Sequence, residues 1–310
     1  MKKLLLVLFI VLIVATGSIF IFIPTTQYLN YTTSLNCNES GANRFILNKD
    51  KWQSWWPGQK KDDTTYLYKN YNYRIDQILL NGFEATIYND KGSVTGNFTV
   101  TALGRDQLQF MWNSVITLST NPLIRIIQYY NYRNFKSNVE NLISNIKTFF
   151  EKEENIYGTK VIEQKVTDSS LISVKRVFSH YPSTEEIYSV IQSLKDYVSK
   201  KGGEQSNPPM LNVHVTDSVT FETMVAIPTK SDLPSEGKFQ LKKMVLGNIL
   251  MAEVKGGISS ITKEENELNN YVTDHKKVVP AIPYQSLVTN RLLEPDSSKW
   301  VTRLYYPIYY

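Results

Sequence analysis

The sequence predicts an α+β protein in which one apolar N-terminal helix precedes two globular domains. Three observations predict it. The first is an apolar run at the N-terminus, the second is a series of β-type stretches followed by an amphipathic helix, and the third is a strand and helix pattern that recurs in the C-terminal half. With 310 residues, 42% of them hydrophobic and 20% charged, the chain is long enough for two cores.

The N-terminal apolar run is long enough to cross a membrane. Within Leu4–Ile23 only residues 16–18 are not apolar, and twenty helical residues span about 30 Å, the thickness of a bilayer core. A cleaved signal peptide has a shorter apolar region that ends at a small-x-small site, whereas here apolar residues continue beyond the small ones. Residues 1–24 are therefore predicted to form an uncleaved single-pass anchor. Lys2 and Lys3 mark its cytoplasmic side, which places the rest of the chain on the non-cytoplasmic side.

The first domain, residues 28–152, has the pattern of an antiparallel sheet followed by a helix. Turn-like sequences separate its β-type stretches, which are Thr64–Leu80, Phe83–Asn89, Ser93–Leu103 and Gln107–Leu118. Apolar residues then repeat at i, i+3, i+4 and i+7 over Val139–Phe150, which predicts a helix lying on the sheet. The run Asn121–Tyr132 is predicted to be an insertion before this helix, and Glu151–Asn155 a charged hinge after it.

A tryptophan-rich segment, Arg44–Pro57, follows the first strand-like run and contains Trp52, Trp55 and Trp56. This segment and the order of elements resemble the START/polyketide-cyclase-like (SRPBCC) superfamily. The resemblance covers most of residues 28–152 and implies a helix-grip domain with a deep apolar cavity between the long helix and the sheet. Core packing and ligand contact both fit the tryptophans, and core packing is the favoured interpretation.

The second domain, residues 155–310, carries an internal repeat. The stretch Phe221–Pro228 recurs 79 residues later as Trp300–Pro307. Two helix starts of the capping-box type, Ser183–Glu186 and Thr262–Glu265, are separated by the same 79 residues. A helix start, an aromatic residue and a proline that recur at one offset predict a duplicated strand-helix-strand-strand unit.

This duplication, together with Phe178–Pro182 before a capped helix, resembles the GyrI-like effector-binding domain. That domain is the ligand-binding half of many AraC-type and MerR-type bacterial transcription regulators. The resemblance spans nearly all of residues 155–310 and implies a cleft, on the face opposite the helices, for small and often cationic or aromatic molecules. The chain offers no helix-turn-helix, and its Lys and Arg residues occur singly or in pairs, so no nucleic-acid partner is predicted.

Strand alternation selects the side chains that face the predicted cleft. The more apolar set of each repeated strand is expected to meet the helices, and the other set to face the cleft. The predicted ligand-binding residues are Tyr181, Glu222, Met224, Glu253, Arg303 and Tyr305. Arg303 stands where the family often has a glutamate, so an anionic or neutral aromatic ligand is predicted. The alternative for Arg303 is a solvated salt bridge at the rim, with Glu222 or Glu253 as its acidic partner.

Catalysis and metal binding have little support in the sequence. The single cysteine, Cys37, excludes an intrachain disulfide, and the three histidines lack ligand spacing. No nucleophile with a nearby base is evident, so no catalytic residue, metal or cofactor is predicted. The predicted function is a membrane-anchored sensor, scavenger or carrier of a small organic ligand. A small-molecule hydrolase using the same cleft and a purely interaction module are the alternatives.

Overall fold

The computed structural model describes residues 2–167, 170–217 and 219–309. The chain divides into two compact units, Met1–Lys152 and Glu153–Tyr310. Each unit combines an antiparallel sheet with helices. The predicted α+β class is therefore confirmed.

The first unit begins with helix α1, Lys2–Phe22. This helix is long enough and apolar enough to cross a membrane, and no residue of its most apolar stretch is buried. The chain then enters the first strand at Thr26.

Seven strands form the sheet of the first unit. They are β1 Thr26–Leu35, β2 Gln59–Lys60, β3 Thr65–Tyr68, β4 Tyr71–Leu79, β5 Gly82–Asn89, β6 Gly92–Gly104 and β7 Gln107–Thr117. Their order is β1-β7-β6-β5-β4-β3-β2, and all pairs are antiparallel. The predicted stretch Thr64–Leu80 is a hairpin instead of one strand, because the chain reverses at Lys69, whose φ is 52°.

Three helices complete the first unit, namely α2 Glu39–Ile46, α3 Trp52–Trp55 and α4 Pro122–Phe150. The prediction of an insertion at Asn121–Tyr132 is wrong, since this run forms the first turns of α4. Asn121 is the N-cap, and its side chain accepts hydrogen bonds from the backbone N–H groups of Leu123 and Ile124. Pro122 occupies the first helical position, where its missing N–H costs nothing.

Aromatic rings fill the core between the sheet and the helices of the first unit. Trp52 is fully buried, and its ring centroid lies 4.7 Å from that of Phe83 on β5 and 5.5 Å from that of Tyr66 on β3. Its Nε1 donates a hydrogen bond of 2.8 Å to the carbonyl of Ile46. Core packing is therefore the structural role of Trp52.

The sheet of the second unit has eight strands. They are β8 Ile162–Lys165, β9 Ser170–Phe178, β10 Met210–Asp217, β11 Thr220–Thr229, β12 Gln240–Lys243, β13 Asn248–Lys255, β14 Tyr284–Leu287 and β15 Val301–Ile308. Their order is β12-β9-β11-β10-β14-β15-β13-β8. Three helices accompany them, α5 Glu153–Tyr157, α6 Thr184–Lys200 and α7 Ile258–Asp274. The predicted hinge Glu151–Asn155 thus runs into α5.

The second unit is a duplication, as predicted. Its two copies are β9-α6-β10-β11 and β13-α7-β14-β15, and they meet where β10 pairs with β14 in the middle of the sheet. Val225 and Ile227 of β11 are buried in the core that includes α6. Leu304 and Tyr306 of β15 are buried in the core that includes α7. Both helices therefore cover the same face of the sheet.

The two helices start differently. Ser183 caps α6 through a complete capping box with Glu186, as predicted. Helix α7 begins at Ile258 after Gly257, which has no side chain to cap it. The predicted helix start at Thr262–Glu265 is wrong, because these residues lie inside α7, where Ser/Thr-x-x-Glu has no free N–H groups to cap.

Candidate functional site

Five of the six predicted ligand-binding residues lie on the sheet face that points away from α6 and α7. Their neighbours along each strand, such as Val225 and Leu304, are buried against the helices. Side chains alternate along a strand, so the remaining positions form the open face. The five residues are Glu222, Met224, Glu253, Arg303 and Tyr305.

The charged residues of the open face are paired with one another. Arg303 Nε donates to Glu253 Oε2 over 2.9 Å, and the two side chains are 42% and 50% exposed. Glu222 Oε2 lies 2.6 Å from Lys175 Nζ. Because Glu253 already neutralises Arg303, an anionic ligand is no longer required to do so.

An apolar pocket of about 350 Å³ opens on the same face. Three methionines line it, Met210, Met224 and Met244, together with Tyr284. The Tyr284 ring stacks on that of Tyr305 with centroids 5.1 Å apart. Methionine side chains adapt to irregular apolar shapes, so this pocket suits an apolar group with few polar contacts.

A larger groove of about 480 Å³ lies on the helix-covered side, between α7 and the central strands β10 and β14. Tyr181, the sixth predicted residue, lines this groove and is therefore separated from the other five. Glu265 and Asn269 line it from α7, and Tyr306 and Arg291 also border it.

The groove owes its acidic group to a difference between the two repeats. The two helices align with an offset of 74 residues, whereas the repeated strands align with an offset of 79. At the offset of 74, buried residues of α6 correspond to buried residues of α7, as Ile187 corresponds to Ile261 and Leu194 to Leu268. The same offset relates the core residues of α6 at 190–191, valine and isoleucine, to two glutamates at 264–265. The second repeat therefore places two carboxyl groups at positions that are apolar in the first.

Glu265 is the acidic group inside the groove. Its Oε1 accepts a hydrogen bond of 3.0 Å from Gln285 Nε2, and burial raises its pKa. Burial, followed by the charge of Glu265, raises the pKa of Tyr306 to about 12. Burial likewise raises the pKa of Tyr181, with a further contribution from Glu265. The groove thus combines a desolvated carboxyl group with two phenol groups.

Arg291 closes the groove beside Tyr181. Its guanidinium lies 4.9 Å from the centroid of the Trp300 ring, and its Nη2 donates a hydrogen bond of 3.0 Å to Thr302 Oγ1. Its backbone N–H donates to the hydroxyl of Tyr188 over 2.8 Å. Burial lowers the pKa of Arg291. These contacts hold the guanidinium in place and limit its freedom to reach a ligand.

Sequence reasoning missed Glu265, Arg291 and Tyr306 as groove residues. The signal for Glu265 was present, because aligning the helix stripes at an offset of 74 shows a glutamate at a core position. The offset of 79 that relates the strands instead aligns Glu265 with Glu186 of the first capping box. Glu265 was therefore interpreted as a capping residue. Arg291 lies in a connection whose path the sequence pattern does not reveal.

No protein-family model matches the sequence, and no curated protein matches it. Among solved structures, the C-terminal domain of EcmrR matches with 14% identity and a TM-score of 0.42, over 49% of this chain and 98% of that one. SAV2435 bound to tetraphenylphosphonium matches with 12% identity and a TM-score of 0.34, over 48% and 94%. A hydrolase from Listeria innocua matches with 14% identity and a TM-score of 0.38, over 49% and 92%. All three TM-scores lie below 0.5, so no ligand, activity or partner of this chain follows from them.

Proposed function

We propose that this chain is a membrane-anchored small-molecule-binding protein whose ligand lies in the groove along α7. In this proposal residues 1–24 form the anchor, residues 28–152 an SRPBCC-like domain, and residues 155–310 a GyrI-like effector-binding domain outside the cytoplasm. The observation that carries the binding function is Glu265, a carboxyl group at a core position of the duplicated helix, open to a groove of about 480 Å³. The length and apolarity of α1 support the anchor.

The groove favours a ligand with an aromatic body and a positively charged or hydrogen-bond-donating group. Glu265 is half-buried and accepts a hydrogen bond from the neutral Gln285, so a cationic group in the groove would offset the cost of desolvating its charge. Tyr181 and Tyr306 provide aromatic rings for stacking and for contact with a cation. The sequence predicted an anionic or neutral aromatic ligand from Arg303. We propose a cationic one instead, because Glu253 already forms a salt bridge with Arg303.

Replacing Glu265 with glutamine should lower the affinity for an aromatic cation about ten- to a hundred-fold, because an attraction between opposite charges worth roughly 1.5–3 kcal/mol is lost from a partly desolvated site. The measurement is isothermal titration calorimetry of the full chain in nanodiscs with tetraphenylphosphonium, with empty nanodiscs subtracted. Glu253→Gln on the open face is the matched control and should leave the affinity unchanged. A loss of affinity in Glu253→Gln alone would assign the ligand to the open face instead.

The affinity of the wild type for the cation should also rise with pH. Only the ionised carboxylate attracts a cation, and burial raises the pKa of Glu265. Binding should therefore strengthen as pH increases through that pKa and then level off. Titrations at several pH values should show this rise in the wild type and a flat profile in Glu265→Gln.

A hydrolase that uses the same groove is the second candidate. The observation that favours it is the pairing of Glu265, whose pKa is raised, with the phenol groups of Tyr181 and Tyr306. A carboxyl group whose pKa is raised by burial is better suited to act as a general acid than an exposed one. Turnover of small epoxides or activated esters by the wild type, and its loss in Glu265→Gln, would support this candidate over simple binding.

A further inference from the structure

The first turns of α4 carry an exposed apolar face. It consists of Leu123, Ile126, Ile127 and Tyr130, which are between 42% and 71% exposed. Their spacing of three and four residues places them on one side of the helix. Arg125, between them in sequence, points the opposite way and is buried. An exposed apolar stripe of this size, here called the α4 apolar face, is unusual on a soluble surface.

Arg125 joins the start of α4 to the end of α1. Its Nη1 donates a hydrogen bond of 3.1 Å to the carbonyl of Ile23, and its Nη2 donates one of 2.7 Å to Thr25 Oγ1. Its guanidinium also lies 4.3 Å from the centroid of the Phe20 ring. The α4 apolar face therefore begins next to the residue at which α1 ends, which is where α1 would leave a bilayer.

The charged residues in the part of α4 that carries the apolar face are all basic. The segment 122–139 contains Arg125, Arg133 and Lys136 and no acidic residue, and the first acidic residue of α4 is Glu140. Close to this face, the hydroxyl of Tyr132 of α4 donates a hydrogen bond of 3.1 Å to the Tyr28 carbonyl on β1. Apolar side chains with tyrosine and basic residues match the composition of helices that lie in the lipid headgroup region.

We propose that the first two turns of α4 lie in the interface of the bilayer that α1 crosses, with the α4 apolar face directed towards the acyl chains. The inference rests on the membrane anchoring proposed above. We favour a lipid surface over a protein partner because the start of α4 contacts the end of α1. If α1 crosses a bilayer, the α4 apolar face lies close to the surface of that bilayer. The first unit is thus held against the membrane at two points.

The test measures membrane depth in the full chain reconstituted into liposomes. Cys37, which is buried, is replaced by alanine, and a single cysteine carrying an environment-sensitive fluorophore is introduced by Ile127→Cys. Ser144→Cys is the matched control, because it is exposed on the same helix and lies about 25 Å further along it. Val11→Cys reports insertion of α1 itself. Lipids with a nitroxide on the acyl chain quench only fluorophores that reach the bilayer.

We expect loss of most of the fluorescence at Val11→Cys and Ile127→Cys and little loss at Ser144→Cys. Quenching at Val11→Cys with none at Ile127→Cys would overturn the inference and leave the anchor intact. No quenching at Val11→Cys would overturn the anchor, and the inference with it. Thermal unfolding of each labelled variant establishes that the substitutions at these exposed positions leave the fold intact.

Discussion

Replacing Trp52 with alanine will lower the free energy of unfolding of the first unit by about 3–5 kcal/mol, the usual cost of truncating a fully buried tryptophan. The side chain is completely buried and packs on Phe83 and Tyr66. Its removal leaves a cavity that these rings cannot close without losing their own contacts. It also removes the donor to the Ile46 carbonyl, which would stay buried without that partner.

The measurement is urea unfolding of the full chain, followed by hydrogen exchange with mass spectrometry. Peptides from residues 26–150 report on the first unit separately from the second, which matters because a chain with two units need not unfold in one step. Gln53→Ala is the matched control, since Gln53 is an exposed neighbour on α3, and it should change stability by less than about 0.5 kcal/mol. Equal effects of the two substitutions would show that Trp52 does not hold the core.

Replacing Glu264 with glutamine will stabilise the second unit at pH 8 by roughly 1–2 kcal/mol and have little effect at pH 5. Glu264 is 8% exposed, and within the described residues its Oε1 has no hydrogen-bond partner. Burial, together with the charge of Glu267, raises its pKa from 4.5 to about 7. Gly158, whose φ is +79°, allows this close packing, because a Cβ there would lie 2.8 Å from Glu264 Oε2.

The direction of the effect follows from proton binding. Between pH 4.5 and 7 the folded state keeps a proton on Glu264 that the unfolded state releases, so the stability of the wild type falls as pH rises through this range. Glutamine cannot release a proton, and this loss is then absent. Thermal unfolding at pH 5, 6, 7 and 8 should show the melting temperatures of wild type and Glu264→Gln diverging as pH rises. Asn266→Ala, an exposed change on the same helix, should show no such divergence.

Local patterns predicted most of the fold because each reports one physical constraint. Alternation in Phe221–Pro228 and Trp300–Pro307 placed the correct side chains against the helices, since one face of each strand has to be buried. The capping box at Ser183 is also present as predicted. The same four-residue pattern at Thr262 gave a wrong helix start. The pattern is short enough to occur inside a helix, so by itself it does not locate the first turn.

Two of the differences share one feature. Asn121–Tyr132 was assigned to an insertion because Pro122 and isoleucine-rich turns precede the apolar stripe of Val139–Phe150. Glu265 was assigned to a cap because Thr262–Glu265 matches a capping box at the strand offset of 79. In both places the side chains depart from the rule that apolar groups lie inside and charged groups outside. Such departures mark the proposed membrane contact and the proposed ligand groove.

Glu265 of α7 also bears on the orientation in which the proposed ligand would lie in the groove. A duplicated unit with identical halves would present two equivalent poses, one towards each copy, since the two copies meet where β10 pairs with β14. Helix α6 carries isoleucine where α7 carries Glu265, the carboxyl group that lines the groove, so in the proposed function only one pose would bring a cationic group to a carboxylate. In the proposed function, the unit would therefore hold its ligand in one orientation. A ligand with cationic groups at both ends would gain from only one of them.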